Sequence, residues 1–238
     1  ATVDEGSLGA TVDLQTARPF DYEGFTFAAG GQMGYNDLAE NFDPRASMLV
    51  SDIWADGKFG ALLSVAYSSR GIVEEGHSTV RWDPGTGSGG FNAASIAGAK
   101  LATTFHPRIP RYGVLEHEQE RLGVTASLQY APSKATEINL DLLYADFDAT
   151  RTENFLEAVS FSRTGANGKP QTIVKDGVID AHGNLVYGVF DNVDIRSEAR
   201  YDELATQFTQ IGLSGSHRFN DKFSMSASVG RSESDFDN

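Results

Sequence analysis

The 238-residue sequence contains no cysteine, only seven prolines and no uninterrupted apolar run of about 18 residues. The absence of cysteine excludes disulfide frameworks, thiolate metal sites and cysteine nucleophiles. Without a long apolar run there is no candidate transmembrane helix, although a membrane-spanning β-strand needs only about 9–11 residues. Basic residues are also scarce, because 19 Lys and Arg stand against 33 Asp and Glu and give a net charge of −14. Such acidity argues against a nucleic-acid partner.

Apolar and polar residues alternate along most of the chain, which is the pattern of β-strands that expose two different faces. The clearest segment runs from Leu122 to Tyr130, where apolar residues occupy the even positions and polar or small residues the odd ones. Segments of this kind predict an all-β chain with about seven strands: 25–35, 43–54, 58–69, 117–130, 135–150, 199–218 and 222–236.

The lengths of the strands and of their connections favour a transmembrane barrel over a soluble β-sandwich. Several predicted strands are longer than the usual 5–6 residues of soluble sheets. Tight turns are expected at Asp56-Gly57, Pro132-Ser133 and Asn220-Asp221, whereas long extracellular loops are expected at about 70–116 and 152–198. Short turns at one rim and long loops at the other are the layout of an outer-membrane barrel.

Aromatic residues support the same interpretation. Trp54, Phe59 and Tyr130 flank the expected short turns, whereas Tyr67 and Tyr144 lie near the opposite ends of their strands. Two aromatic levels separated by a strand length are typical of the two membrane interfaces. A soluble secreted β-domain, such as a carbohydrate-binding or adhesion module, remains the alternative, and a passive porin is a third possibility.

If the strands cross a bilayer, their two faces have different surroundings. We expect eleven apolar side chains to point together towards lipid: Phe59, Leu63, Val65, Leu122, Val124, Leu128, Ile138, Leu140, Leu142, Met225 and Val229. Bacterial single-chain barrels close with an even number of strands, at least eight, so seven strands predict part of a larger barrel. The beginning at Ala1-Thr, without an initiator Met or a signal-peptide pattern, likewise suggests a processed or excised piece.

Three segments carry a resemblance to a known family. Gly9, Ala10, Val12, Asp13, Leu14, Thr16 and Pro19 fill a pattern that resembles the end of the plug domain in TonB-dependent outer-membrane receptors. The segments 106–123 and 139–151 are similar to signatures of a large proteobacterial subfamily of these receptors. The resemblance covers most of the chain, and the plug-end pattern is fairly specific.

This resemblance implies a barrel of about 22 strands with a plug inside it. Residues 1–20 would be the C-terminal end of the plug, and 21–238 the N-terminal portion of the transmembrane barrel. The polar positions that would line the lumen are Gln119, Arg121, Thr125, Gln129, Glu137, Asn139 and Asp141. The implied function is TonB-dependent uptake of an oligosaccharide or a ferric siderophore across the bacterial outer membrane. The implied partners are the rest of the barrel and plug, outer-membrane lipid, a small-molecule substrate and the TonB complex, the last through an N-terminal segment outside this sequence.

No catalytic constellation, cofactor motif or metal-ligand spacing emerges from the sequence, so we predict a protein that is not an enzyme and has no metal site and no cofactor. One group of loop residues combines arginine with aromatic rings, which suits sugars by stacking and anionic chelates by charge. The candidate ligand-binding residues are Arg70, Arg81, Trp82, Arg108, Arg111 and Tyr112. Packing within the loops and contact with lipid phosphates are the alternative roles for this group.

Overall fold

The computed structural model describes residues 16–84, 100–101, 104–159 and 170–238. It is nearly all β, with one 3-10 turn at Pro19–Asp21 that precedes the first strand. The strands in chain order are β1 (Thr26–Asn36), β2 (Asn41–Trp54), β3 (Phe59–Thr79), β4 (Trp82–Pro84), β5 (Phe105–Pro107), β6 (Pro110–Ser133), β7 (Thr136–Val159), β8 (Ile173–Ile179), β9 (Leu185–Asp191), β10 (Asp194–Asn220) and β11 (Phe223–Asp237).

Seven of these strands form one large antiparallel sheet in the order β1-β2-β3-β6-β7-β10-β11. Each large strand therefore pairs with the next large strand along the chain, which confirms the predicted all-β class and the seven predicted strands. The four short strands β4, β5, β8 and β9 were not predicted. Strands β1 and β11 each have one partner within the described residues, so they form the two edges of this sheet. Edge strands present unpaired backbone N–H and C=O groups, which need a partner strand or water.

The connections alternate in length between the two ends of the sheet. At one end the turns are short: 55–58 between β2 and β3, 134–135 between β6 and β7, and 221–222 between β10 and β11. In the first of them Ala55, Asp56 and Gly57 all have positive φ, and the Lys58 N–H donates to Trp54 O at 3.2 Å. The second turn lies two residues beyond the predicted Pro132-Ser133, because an irregularity in pairing between Tyr130 and Ser133 extends β6.

The four central strands are longer than predicted at the opposite end. Pairing of β3 with β6 continues to Thr79 opposite Pro110, and pairing of β7 with β10 continues to Val159 opposite Asp194. The expected loops 70–116 and 152–198 are thereby corrected to the connections 80–109 and 160–193. The extensions lack the alternating pattern, because charged side chains occupy both faces there, and alternation is the only strand signal that the sequence offered.

Two small hairpins occupy the long connections. Strand β4 pairs with β5 and β8 pairs with β9, and the Phe105 N–H joins the two hairpins by donating to Gly183 O at 3.0 Å. Val174 of β8 and Leu185 of β9 pack with Leu101 in a small buried apolar cluster. No helix in the described ranges is long and apolar enough to cross a membrane.

Candidate functional site

The large sheet has one apolar face. In an antiparallel sheet, directly paired residues project to the same side. The pairs Val65–Val124, Leu128–Leu140, Leu140–Leu213 and Leu213–Val229 therefore place their side chains together across five strands. All eleven residues that were expected to share a face do so, as the register shows. We call this side the apolar face.

The apolar face is exposed rather than packed into a core. Leu63, Leu128, Leu140 and Leu142 are all about two-fifths exposed, and Val229 is 67% exposed. A soluble domain rarely leaves so large a contiguous apolar surface uncovered. On β3 the apolar positions run from Phe59 to Tyr67, close to the about 9–11 residues that a bilayer-spanning strand needs.

The opposite side, here called the polar face, carries the positions that the resemblance assigned to a lumen. Gln129 lies opposite Asn139, and Ser127 lies opposite Asp141, so the odd-numbered residues of β6 and β7 face the same way. The predicted set Gln119, Arg121, Thr125, Gln129, Glu137, Asn139 and Asp141 shares this face.

The segment before β1 lies against the polar face near the short turns. Arg18 Nη2 donates to Asp141 Oδ2 at 2.6 Å, and the Phe20 N–H donates to Gln129 Oε1 at 2.6 Å. A Cβ at Gly60 would lie 2.6 Å from Pro19 Cβ, so this position must be glycine for the segment to approach so closely. Of the plug-end pattern, only Thr16 and Pro19 lie within the described residues, and the placement of Gly9–Thr16 inside a barrel stays a prediction.

Three arginines on the polar face share a cavity of about 210 Å³. It is lined by Arg45 of β2, Ser68 and Arg70 of β3, and Gln119 and Arg121 of β6. Arg45 lies opposite Ser68, Ser68 lies opposite Arg121, and Arg70 lies opposite Gln119, so the five side chains emerge in two adjacent rows. The sheet register thus brings three guanidinium groups together from three neighbouring strands.

Further towards the long connections, a buried carboxylate joins two other arginines on the same face. Glu157 is 1% exposed and lies in register between Arg111 and Arg196. Arg111 Nη1 donates to Glu157 Oε1 at 3.4 Å, and Arg196 Nε donates to Oε2 at 3.0 Å. The Arg111 guanidinium also lies over the Phe155 ring, 3.8 Å from its centroid. Both oxygens of the carboxylate therefore accept a hydrogen bond from an arginine.

The six loop candidates do not form one site. Arg81 Nε donates to Asp83 Oδ1 at 2.9 Å, Arg108 lies 3.8 Å from the same carboxylate, and Trp82 stacks on Phe105 with centroids 5.4 Å apart. These three residues belong to the β4–β5 hairpin and its flanks.

The other three candidates lie on the large sheet, in three different surroundings. Arg111 pairs with Glu157 on the polar face, whereas Tyr112 faces the opposite side, where its ring meets His77 at 5.2 Å. Arg70 lies in the cavity with Arg45 and Arg121. The structure thus separates residues that are close in sequence and joins Arg70 to residues that are distant in sequence.

Arg45 was missed by sequence reasoning, and Arg121 was recognised only as a wall residue. Arg45 lies within a correctly predicted strand, but its relation to Arg121 depends on the register across β3. That register follows from the 55–58 turn and from the pairing of β3 with β6. Aligning the sequences of β2, β3 and β6 outward from their short turns would have placed the three arginines together.

A steric contact near Glu157 gives a testable prediction. A Cβ at Gly113 would lie 2.4 Å from two atoms of the Phe155 ring, whereas a Cβ at Gly76, which is paired directly opposite, would meet nothing within 4 Å. We expect Gly113→Val to lower the free energy of unfolding by about 1–3 kcal/mol through overpacking. Urea denaturation of the full-length protein measures this cost. Gly76→Val is the matched control, and equal costs for the two variants would contradict the contact.

The turn between β8 and β9 depends on one carboxylate. The Asn184 backbone N–H donates to Asp180 at 2.8 Å, and its side-chain amide donates at 3.0 Å; together with the His182 N–H they hold the pKa of Asp180 below its usual value. A carboxyl group with a lowered folded-state pKa stabilises the fold above its unfolded-state pKa of about 3.9. That contribution is lost as the pH falls through the lower, folded-state pKa.

We therefore expect the β8–β9 turn to loosen on acidification below about pH 4, earlier than the β6–β7 ladder. Hydrogen exchange of the 180–184 amides, followed between pH 6 and pH 3 in the full-length protein, measures this. Asp180→Asn is the control, since it removes the titrating group. Unchanged protection in the wild type at pH 3 would contradict the role of Asp180.

No group of three His, Asp or Glu side chains in the described ranges is arranged to hold a metal ion. Comparison with known proteins identifies no relative: no protein-family model, curated protein or solved structure matches the chain. Functional inference therefore depends on the arrangement of this chain's own residues and on the family resemblance of its motifs.

Proposed function

We propose that the seven-stranded sheet is part of the wall of a bacterial outer-membrane β-barrel, with its apolar face towards lipid and its polar face towards a lumen. The observation that carries the proposal is the exposed apolar face. It continues across seven strands, while each of the same strands presents polar residues to the other side. A lipid environment would stabilise such a surface, because it removes the apolar side chains from water.

The open edges fit the same proposal. Backbone groups on β1 and β11 that have no partner in this sheet would be satisfied by further strands of a closed barrel, since lipid offers no hydrogen bonds. Such strands belong to the implied 22-stranded barrel, in which residues 1–20 would end the plug. The contacts of Arg18 and Phe20 with the polar face are compatible with a chain that leaves a plug and enters the wall.

For the activity, we propose TonB-dependent uptake of a small molecule, an oligosaccharide or a ferric siderophore. The support is the resemblance of the plug-end pattern and of the segments 106–123 and 139–151 to TonB-dependent receptors. In this proposal the chain catalyses no reaction. Its polar face and hairpins contact the solute, and the TonB complex supplies the driving force through a part of the protein outside these residues.

The orientation of the two faces can be tested with single cysteines, because the natural sequence contains none. Val124 and Thr125 are neighbours on β6 that face opposite sides. In intact outer membranes, a water-soluble maleimide should label Thr125→Cys and leave Val124→Cys unlabelled. A bilayer-embedded nitroxide should quench a fluorophore at position 124 and not at 125. Labelling of both positions, or the reverse pattern, would reject the membrane wall.

Uptake needs a separate experiment. A strain that lacks the gene should lose import of one labelled solute, either an oligosaccharide or a ferric siderophore, and should regain it with the wild-type gene but not in a tonB mutant. Import that continues without TonB would indicate a passive porin. If the strain without the gene imports both solutes normally, the transport proposal is wrong.

A soluble secreted carbohydrate-binding or adhesion module is the second candidate. Trp82 and Phe105 favour it, since they form a stacked pair on the β4–β5 hairpin and are 44% and 42% exposed. Paired aromatic rings can stack on sugar rings. Such a module would be a stable monomer in buffer without detergent, whereas a membrane wall would require detergent or lipid.

A further inference from the structure

The three arginines Arg45, Arg70 and Arg121 lack an acidic partner, unlike most of the other arginines in the described ranges. Within the described residues, none of them has a carboxylate oxygen within 4.0 Å. By contrast, Arg18, Arg151, Arg196, Arg200 and Arg231 each form an ion pair. In a chain of net charge −14, acids are abundant, so three unpaired guanidinium groups in one cavity are an unusual local excess of positive charge.

One acid lies nearby, but within the described residues it forms no ion pair with these arginines. Asp43 lies two residues before Arg45 on the same face of β2, but its Oδ1 accepts a hydrogen bond from the Gly71 N–H at 2.9 Å. The contacts that Arg121 makes are uncharged: it donates to Gln119 Oε1 at 3.4 Å and lies 4.9 Å from the Phe147 ring centroid. Arg45 and Arg70 have no side-chain partner in the described structure.

The floor beside the arginines is made of small residues. Gly30, Ser47, Ala66, Gly123 and Ala145 lie in register across five strands on the polar face. They line a cavity of about 760 Å³ that also includes Arg45, Ser68 and Arg121, so it adjoins the arginine cavity. A solute could therefore place its anionic group among the guanidinium groups and its remaining atoms over the small-residue row.

We propose that Arg45, Arg70 and Arg121 bind the anionic group of a small solute, a carboxylate or a phosphate, on the polar face. Guanidinium groups bind the oxygens of these anions in bidentate geometry through charge-assisted hydrogen bonds. Ser68 and Gln119 add neutral donors at the same site. The inference depends on the proposed function in one respect, namely that the polar face is open to a lumen, and it assigns an anionic class to the solute.

Calorimetric titration of the full-length protein in detergent tests the site. The probes are citrate, inorganic phosphate and, as a neutral control, maltotriose. We expect citrate or phosphate to bind and maltotriose not to compete with it. Each of the variants Arg45→Gln, Arg70→Gln and Arg121→Gln should weaken that binding by at least about tenfold, and added salt should weaken it in the wild type. Which of the two anions binds more tightly identifies the carboxylate or the phosphate class.

Arg218→Gln is the matched control. Arg218 is also exposed on the polar face without an acidic partner, but it lies beside the 221–222 turn at the end away from the cavity. Its replacement removes the same charge and should leave anion affinity unchanged. An equal loss in Arg218→Gln would show general charge attraction and would overturn the site.

Labelling of Thr125→Cys separates the two proposals. If this residue is labelled from water and neither anion binds, the anion site is wrong and the membrane wall stands. If it is not labelled while Val124→Cys is, the membrane wall is wrong.

Discussion

Replacing Glu157 with alanine is expected to lower the free energy of unfolding by about 3–5 kcal/mol. The carboxylate is 1% exposed and is the shared acceptor of Arg111 and Arg196. Its removal leaves two like charges on the strands that flank β7, one of them with a side chain only 22% exposed, and removes the carboxylate between them. Most of this cost falls on Arg111, which is mostly buried and would lose its carboxylate partner, whereas Arg196 is half exposed and keeps Glu198.

Glu198 provides the control for this prediction. It also accepts a hydrogen bond from Arg196, at 2.7 Å, but its side chain is 43% exposed. Glu198→Ala should therefore cost no more than about 1 kcal/mol, as is usual for surface ion pairs. Chemical denaturation of the full-length protein in micelles measures both variants. Similar costs for the two would show that burial of Glu157 contributes nothing to the stability of these strands.

Ala126→Arg is expected to destabilise the membrane-embedded protein by about 2–4 kcal/mol. Ala126 lies at the centre of the apolar positions of β6 and is paired with Leu63 and Leu142 on the apolar face. If this face contacts lipid, the new guanidinium group lies near the midplane of the bilayer. There it is far from both membrane–water interfaces and cannot be hydrated. The cost should fall towards zero for arginines placed nearer the two ends of the strand.

Thr125→Arg is the matched control, because it places the same side chain one residue away on the polar face. We expect it to change stability by less than about 1 kcal/mol, since a lumen-facing arginine stays hydrated. Equilibrium refolding into lipid vesicles is the appropriate measurement. If Ala126→Arg and Thr125→Arg cost the same, the apolar face does not contact lipid.

The alternating pattern was sufficient to predict which residues share a face, because a single register error would have inverted the whole set. It correctly placed Val65 and Val124 on one face, and Gln129 and Asn139 on the other, although the members of each pair belong to different strands. The pattern works where one face is apolar and the other polar. Beyond Ser69 each face of β3 mixes apolar and charged residues, with Ile72 beside Glu74 and Val73 beside Glu75, so the remaining strand up to Thr79 gave no alternating signal.

The candidate site was harder to predict, because it depends on contacts between strands. Arg111 and Tyr112 are adjacent in sequence, but neighbouring residues of a strand point in opposite directions. Arg45 and Arg121 are far apart in sequence and meet because β3 lies between their strands. Composition indicates that arginine and aromatic residues occur together, but only the register shows which of them share a cavity.

The unequal connections also divide the sheet into three units, and strands within a unit can pair faster than strands of different units. The short turns 37–40 and 55–58 join β1, β2 and β3 into one meander, and the turns 134–135 and 221–222 make hairpins of β6–β7 and β10–β11. Pairing β3 with β6, or β7 with β10, must instead close a long connection, and each doubling of loop length adds about 0.6 kcal/mol of entropic cost. We therefore expect β3 to pair with β6, and β7 with β10, after the three locally connected units have formed. The sheet would then assemble from preformed groups of strands rather than one strand at a time.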